Sequence, residues 1–340
     1  MLEYFLKLGS CYAKDFTYEI PEEKYIGITE EEAVERYEKI VRENCLLLKE
    51  QGYEFTLSGG LDSSLMFVLA EPERAFCCQV DGNKDYAYAQ RLYPDVIKES
   101  SFMDISMESQ IIESQKLWDR PHCRRSDFYD YHVYHQYPKV AVGEHPNWCN
   151  YLRFLKHGRK SRMKMYIDMK QIFSDDEVRE FGYTPPELEL KNDTFEDFQA
   201  MVEDWTLLAR RIFYHFRGKV ESPYLMKNAN DFLKGLPIHL KTNKKLIKAV
   251  AKRNLPEFIC ARRKSTNAYK RFDPKWAKYR QIELNNLIEK YLLNPEMKIF
   301  EHIPYEVSRK HRKSFMRAWN LLNLAIWFEV HDDSTVLEQN

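Results

Sequence analysis

Residues 53–70 read YEFTLSGGLDSSLMFVLA, and their pattern indicates the fold class. The apolar run 53–57 has the length and composition of a buried strand, whereas 61–70 has the composition of a helix. Between them, Ser58, Gly59 and Gly60 predict a tight loop. A strand that passes through a glycine loop into a helix is the repeating unit of an α/β protein.

The same alternation continues on both sides of this unit. Residues 29–49 predict a helix with Thr29 as its N-cap, because the apolar positions recur at helical spacing and three glutamates load the first turn. Further strands are predicted at 75–80, 96–99 and 139–142, and further helices at 86–92, about 105–118 and 126–136. Strands that alternate with helices indicate a parallel, doubly wound sheet over about residues 30–145.

No strand pattern is evident beyond residue 150. Helical patterns instead cover 196–216, 244–253, 274–293 and 309–330. We therefore expect a short N-terminal extension at 1–29, an α/β region at 30–150 and a mostly helical remainder at 151–340.

Composition narrows the setting in which the chain works. With 44% hydrophobic residues over 340 positions, the chain can build a buried core without disulfides. The seven cysteines are odd in number and scattered, which is a poor disulfide framework. Neither a secretory signal nor an apolar run of membrane length is present. We expect a cytoplasmic protein with no membrane partner.

Charge is distributed unevenly although 52 basic residues balance 52 acidic ones. Residues 206–275 contain 18 Lys and Arg against 4 Asp and Glu. Part of this segment is expected to serve an anionic substrate. The remainder is either a solvated helix face or a surface that attracts a polyanion such as nucleic acid.

The loop after the first strand carries the chemistry. Backbone amides and a helix dipole at such a position form an anion site, and glycines let the backbone approach the anion closely. Asp62 suggests that Mg²⁺ accompanies a bound phosphate, because a carboxylate alone would repel the phosphate. The pattern is not GxxxxGK[ST], so a kinase-type P-loop is not supported. The alternative is an ordinary glycine turn with a Ser or Asp cap. The candidate nucleotide-binding residues are Ser58, Gly59, Gly60, Leu61, Asp62, Ser63 and Ser64.

SGGLDSS resembles the pyrophosphate loop (PP-loop) of the N-type ATP pyrophosphatases, and in particular the synthetase domain of the asparagine synthetase family. Further stretches resemble that family in the same order along about residues 30–330. They are KVAVGE at 139–144, ESPY at 221–224 with LP at 236–237, Lys244 with LP at 255–256 and the Arg262-x-Lys264 tail, and LLNLAIW at 321–327.

The resemblance implies an adenine-nucleotide alpha-hydrolase-like (HUP) doubly wound parallel sheet followed by a mostly helical C-terminal portion. Residues 30–150 would be the PP-loop ATP-binding region. The implied activity is an ATP-dependent amide ligase that forms AMP and pyrophosphate, with ATP and Mg²⁺ as cofactors. A carboxylate would be activated as an acyl-adenylate and attacked by ammonia or a substrate amine.

The resemblance also implies residue roles. Lys244 and Lys264 would neutralise the leaving pyrophosphate, and Glu144 would serve the incoming amine. Val80 would contact the nucleoside, and Asp62 and Asn147 would lie at the metal. The alternatives are surface lysines, a helix-capping carboxylate at 144 and an ordinary core valine.

Two departures from the family pattern matter. Leu2 stands where the glutamine-using enzymes carry a nucleophilic cysteine, so glutamine hydrolysis is not expected. Asn147 and Trp148 replace an acidic pair, and an amide oxygen can bind Mg²⁺ but carries no charge.

The sequence leaves three functions open. The first is a ligase for a small-molecule carboxylate and amine. The second is a tailoring enzyme that uses the same chemistry on a nucleobase, as in phage DNA hypermodification, or on a peptide or natural product. The third is a catalytically silent ATP-binding homologue. The oligomeric state is not predicted.

Overall fold

The computed structural model describes residues 2–8, 23–79, 84–100, 106–116, 121, 137–145, 172–186, 219–241, 244–262 and 274–331. Within these residues the chain forms an α/β fold with a five-stranded, all-parallel open sheet and a helical portion. This arrangement is compatible with a doubly wound fold.

The sheet has the strand order β3-β2-β1-β4-β5. Its strands and their neighbouring helices are α2 (Glu30–Glu50), β1 (Glu54–Thr56), α3 (Leu61–Ala70), β2 (Ala75–Gln79), α4 (Asp85–Leu92), β3 (Ile97–Ser100), α5 (Met107–Gln115), β4 (Lys139–Ala141) and β5 (Lys219–Glu221). The central strand β1 pairs Phe55 with Ala75 of β2 on one side and with Ala141 of β4 on the other. The four strands predicted from the sequence are confirmed, each to within one or two residues.

The fifth strand, β5, lies in a region where the sequence predicted only helices. No strand was expected beyond residue 150, yet β5 pairs with β4 through Val140 and Val220 at the edge of the sheet. A strand of three residues is too short to show an alternating pattern. Its pairing partner lies about 80 positions earlier, so only the folded chain reveals it.

The helical portion comprises α1 (Leu2–Leu8), α6 (Asp175–Glu180), α7 (Lys227–Gly235), α8 (Ile238–Lys241), α9 (Lys245–Asn254), α10 (Glu257–Cys260), α11 (Pro274–Leu292), a 3₁₀ turn (Lys298–Glu301), α12 (Tyr305–His311) and α13 (Phe315–Val330). The helices predicted at 244–253 and 274–293 are confirmed. The single helix predicted over 309–330 is wrong, because the polar run 311–314 closes a turn and Ser314 adopts an extended backbone. The helices predicted at 126–136 and 196–216 lie outside the described residues.

Capping explains where α2 begins. The Thr29 hydroxyl accepts a hydrogen bond from the Glu32 amide at 3.2 Å, and the Glu32 carboxylate accepts one from the Thr29 amide at 3.1 Å. This reciprocal capping box satisfies two amides that a helix start otherwise leaves unpaired. The predicted N-cap at Thr29 is confirmed.

Two of the apolar clusters among the described residues contain most of the packed helices. One contains Val41 of α2, Leu65 of α3 and Ile247 of α9, so these three helices pack with the sheet. The other lies among α1, α5, α6 and the last helices, around Trp327. Among the described residues, no helix is long and apolar enough to span a membrane.

The strand order fixes where a ligand can bind. The chain passes from β1 to β2 on one side, whereas β4 and β5 lie on the other side of β1. Adjacent strands whose connections leave in opposite directions create a crevice at their carboxyl ends, where open α/β sheets bind ligands. The segments that follow β1 and β4 are the glycine loop and the stretch containing Glu144.

Candidate functional site

The glycine loop is held tightly against α4. Leu57 donates its amide to the Phe76 carbonyl at 2.8 Å, which extends the pairing of β1 with β2 up to the loop. Gly59 has a φ of +64°, and a Cβ placed there would lie 2.5 Å from Cβ of Tyr88 on α4. Only glycine fits both the backbone conformation and this close approach.

The loop serines brace one another. Ser58 Oγ lies 2.8 Å from Ser63 Oγ, and Ser63 Oγ also accepts a hydrogen bond from the Ser58 amide at 3.1 Å. Gly60 is the N-cap of α3 and has no side chain with which to cap the helix. The helix dipole and the first-turn amides therefore remain directed at this end of α3, as an anion site requires.

Two of the predicted binding residues face the interior. Ser64 is completely buried, and its hydroxyl has no hydrogen-bond partner in the part of the chain that the structure describes. Leu61 is partly buried against the core that packs on the sheet. Because the two side chains pack toward the interior, these residues could contact a phosphate only through their backbone atoms.

Asp62 and Lys244 are brought together from 182 positions apart. Lys244 Nζ donates to Asp62 Oδ2 at 2.5 Å, and the two side chains keep 15% and 24% of their exposure. Lys244 directly precedes α9 and has a φ of +56°, a left-handed conformation that is costly for any residue except glycine. Such strain persists where the surrounding structure requires it, and it is common at functional sites.

The second oxygen of Asp62 tests the expected metal. Asp62 Oδ1 is buried and finds no hydrogen-bond partner among the described residues. Within those residues, no three His, Cys, Asp or Glu side chains are grouped as a metal cage. A single carboxylate oxygen beside an anion site fits Mg²⁺, which keeps several waters and takes one or two carboxylates together with substrate phosphates.

The segment after β4 lies directly against the glycine loop's helix. A Cβ on Gly143 would lie 2.6 Å from the Ser63 amide nitrogen, so the two backbones touch. The next residue, Glu144, is exposed, and its carbonyl accepts a hydrogen bond from Ser222 Oγ after β5. The structure therefore brings the Glu144 segment to the first turn of α3.

Tyr224 is a site residue whose role the sequence did not reveal. It is completely buried, and its hydroxyl donates to the Asp62 carbonyl at 2.7 Å. Burial raises the pKa of Tyr224 well above its usual value, so the hydroxyl keeps its proton. His145 packs against the Tyr224 ring and shares a 3.1 Å hydrogen bond with the Tyr37 hydroxyl. The only sequence signal was the ESPY stretch at 221–224.

Arg262 also reaches the loop. Its Nη1 donates to the Ser58 carbonyl at 2.9 Å, and its Nη2 donates to the Asp85 carboxylate. The guanidinium carbon lies 4.2 Å from the centre of the Tyr88 ring. The sequence marked Arg262 only as the residue two positions before Lys264.

The remaining predicted site residues are Val80, Asn147 and Lys264, and all three lie outside the described residues. The site thus rests on the loop, Asp62, Lys244 and the Glu144 segment.

No protein-family model matches the chain, and no curated protein matches it at a significant level.

Proposed function

We propose that this protein is an ATP-dependent, AMP-forming amide ligase of the asparagine-synthetase type, built on a HUP-type sheet. One observation carries the proposal. The SGGLDSS loop enters α3 at the crevice between β1 and β4, with Asp62 paired to Lys244 there and the Glu144 segment against the same helix turn. An anion site, a carboxylate for Mg²⁺ and a lysine ammonium group at one place suit the release of pyrophosphate.

In the first step, an oxygen of the substrate carboxylate attacks the α-phosphorus of ATP. The bond from that phosphorus to the bridging oxygen breaks, and pyrophosphate leaves with the bonding electrons. Negative charge grows on the leaving group, so cations and amides fixed nearby lower the barrier. The first-turn amides of α3 and the Lys244 ammonium group supply this stabilisation, and Asp62 would hold Mg²⁺, which supplies further positive charge to the phosphates.

In the second step, an amine attacks the acyl carbon of the adenylate. The new C–N bond forms, the C–O bond to AMP breaks, and the amine loses a proton. Glu144 is exposed and directly follows Gly143, whose backbone contacts the first turn of α3, so we assign it to accept that proton. The amine is ammonia or an amine carried by a second substrate.

In the proposed mechanism, the Asp62–Lys244 ion pair represents the site before the nucleotide binds. A carboxylate near a phosphate site is costly unless a cation accompanies it. Lys244 fills that role in the structure, at 2.5 Å from Asp62. Asp62 would hold Mg²⁺ when the nucleotide is bound, and the Lys244 ammonium group would then be available to the pyrophosphate oxygens.

The test is exchange of labelled pyrophosphate into ATP with Mg²⁺, across carboxylates that begin with aspartate and extend to peptides and nucleotides. Exchange reports adenylate formation without the amine, and the active carboxylate identifies the substrate class. Lys244→Ala should lower the rate of exchange by about 10²–10³, whereas Lys248→Ala, which changes an exposed lysine one turn along α9, should not. Tight Mg·ATP binding without exchange for any carboxylate would contradict the ligase and favour a silent ATP-binding protein.

A further inference from the structure

The Arg262 guanidinium is largely buried and donates hydrogen bonds to the glycine loop and to α4. Its side chain keeps 7% of its exposure. Burying a guanidinium is costly unless it is paired and hydrogen-bonded, so the position of Arg262 reflects a specific set of partners. Those partners lie about 180 to 200 positions earlier in the chain, in the glycine loop and in α4.

The bond to Ser58 fixes the orientation of one peptide unit. The Ser58 carbonyl and the Gly59 amide belong to the same planar, trans peptide, so they point in opposite directions. Because Arg262 Nη1 binds that carbonyl at 2.9 Å, the Gly59 N–H must point away from Arg262. The left-handed conformation of Gly59, at φ +64°, is one that glycine leaves easily by peptide rotation.

The other contacts keep the guanidinium from acting as a free cation. Asp85, in the first turn of α4, takes Nη2, and the Tyr88 ring lies 4.2 Å from the guanidinium carbon. The guanidinium already donates two hydrogen bonds and stacks one face on an aromatic ring, so it has little freedom to reach a phosphate. Its geometry is suited to holding the loop.

We propose that Arg262 is a positioning residue that sets the Ser58–Gly59 peptide in its anion-binding orientation. The identity of the anion as ATP or pyrophosphate rests on the proposed function. Without Arg262 the peptide can rotate, and the Ser58 carbonyl oxygen can then face the bound anion in place of the Gly59 amide. A loss of pyrophosphate binding should follow even where the fold is retained.

The test compares Arg262→Lys and Arg262→Ala with Arg253→Ala, an exposed arginine on α9. Pyrophosphate and Mg·ATP affinities are measured by calorimetry, and thermal unfolding reports the fold. Both Arg262 variants should bind pyrophosphate about 10- to 100-fold more weakly, because lysine cannot hold the carbonyl and the carboxylate together. Millimolar guanidinium should restore much of the affinity of Arg262→Ala and leave Arg253→Ala unchanged, a readout that general destabilisation would not produce. A folded Arg262→Ala with wild-type affinity overturns the proposal.

Two further arms keep the result decisive. If the Arg262 variants do not fold, Asp85→Asn is measured, because it leaves the arginine in place but unpairs its charge. Weakened pyrophosphate binding supports the proposal, and unchanged affinity overturns it. If wild type binds neither Mg·ATP nor pyrophosphate, the proposed function fails, and inorganic phosphate alone becomes the probe. Weaker phosphate binding by Arg262→Ala then supports the positioning role, and equal or absent binding in both proteins overturns it.

Discussion

Substitutions at Lys244 distinguish three contributions of this residue: its backbone strain, its ion pair with Asp62 and its role in catalysis. In Lys244→Ala the ammonium group is lost, and Asp62, whose Oδ1 already has no described partner, loses its ion pair as well. In Lys244→Gly the same ion pair is lost, but the left-handed backbone at φ +56° becomes favourable. The two variants therefore differ mainly in backbone strain, which is offset in part by the greater unfolded-state entropy of glycine.

The expected magnitudes follow from burial. Breaking a fully buried ion pair costs about 3–5 kcal/mol, and an exposed pair contributes about 0–1 kcal/mol. The Lys244 and Asp62 side chains keep 15% and 24% of their exposure, which lies between these limits. We expect Lys244→Ala to lower the free energy of unfolding by about 1–2 kcal/mol. Lys244→Gly should recover about 1 kcal/mol of that loss, because glycine avoids the left-handed penalty.

Catalysis should respond differently from stability. Removing one fixed charge from a developing anion typically costs about 10²–10³ in rate. Pyrophosphate exchange should therefore fall by that factor in both variants, although Lys244→Gly is the more stable. Urea unfolding gives the stability, and labelled pyrophosphate exchange gives the rate, with Lys248→Ala as control. Exchange in either variant within about threefold of wild type would show that Lys244 does not stabilise the leaving pyrophosphate, since such a loss is far below that of a lost electrostatic contact.

Three further outcomes are expected. Gly59→Ala should lower stability by more than the roughly 1–2 kcal/mol of left-handed strain, because its Cβ meets α4 at 2.5 Å; Gly182→Ala, at φ +85° with nothing within 4 Å, should show the strain alone in thermal unfolding. Tyr224→Phe removes one buried hydrogen bond to the first turn of α3 and should cost about 1–3 kcal/mol; unchanged urea unfolding would show that this bond is not formed in solution. Although burial opposes it, hydrogen bonds from the N-cap serine of α6 and the charge of Arg317 hold the pKa of Glu177 below its usual value. Glu177→Gln should therefore lose about 1 kcal/mol near pH 7, and its stability should converge with wild type as the pH falls below about 4, through the lowered pKa; a constant difference down to acid pH would contradict this assignment.

Local patterns in the sequence determined the strand, loop and helix units. Residues 53–70 predicted β1, the loop and α3, and α3 has the predicted bounds. The capping box at Thr29 was readable for the same reason, since it depends on residues only three positions apart. Asp62 was singled out because a carboxylate in an anion loop needs a cation, which is a chemical argument that requires no coordinates.

Contacts between distant segments were decided only by the tertiary structure. The short strand β5 joins the sheet through pairing that no local pattern announces. Tyr224 reaches the Asp62 carbonyl across 162 positions, and Arg262 reaches the Ser58 carbonyl across 204. The left-handed backbone of Lys244 is likewise invisible in the sequence, because lysine has no preference for that conformation. Sequence spacing encodes which side chains share a face of one element, whereas packing of the elements decides which faces meet.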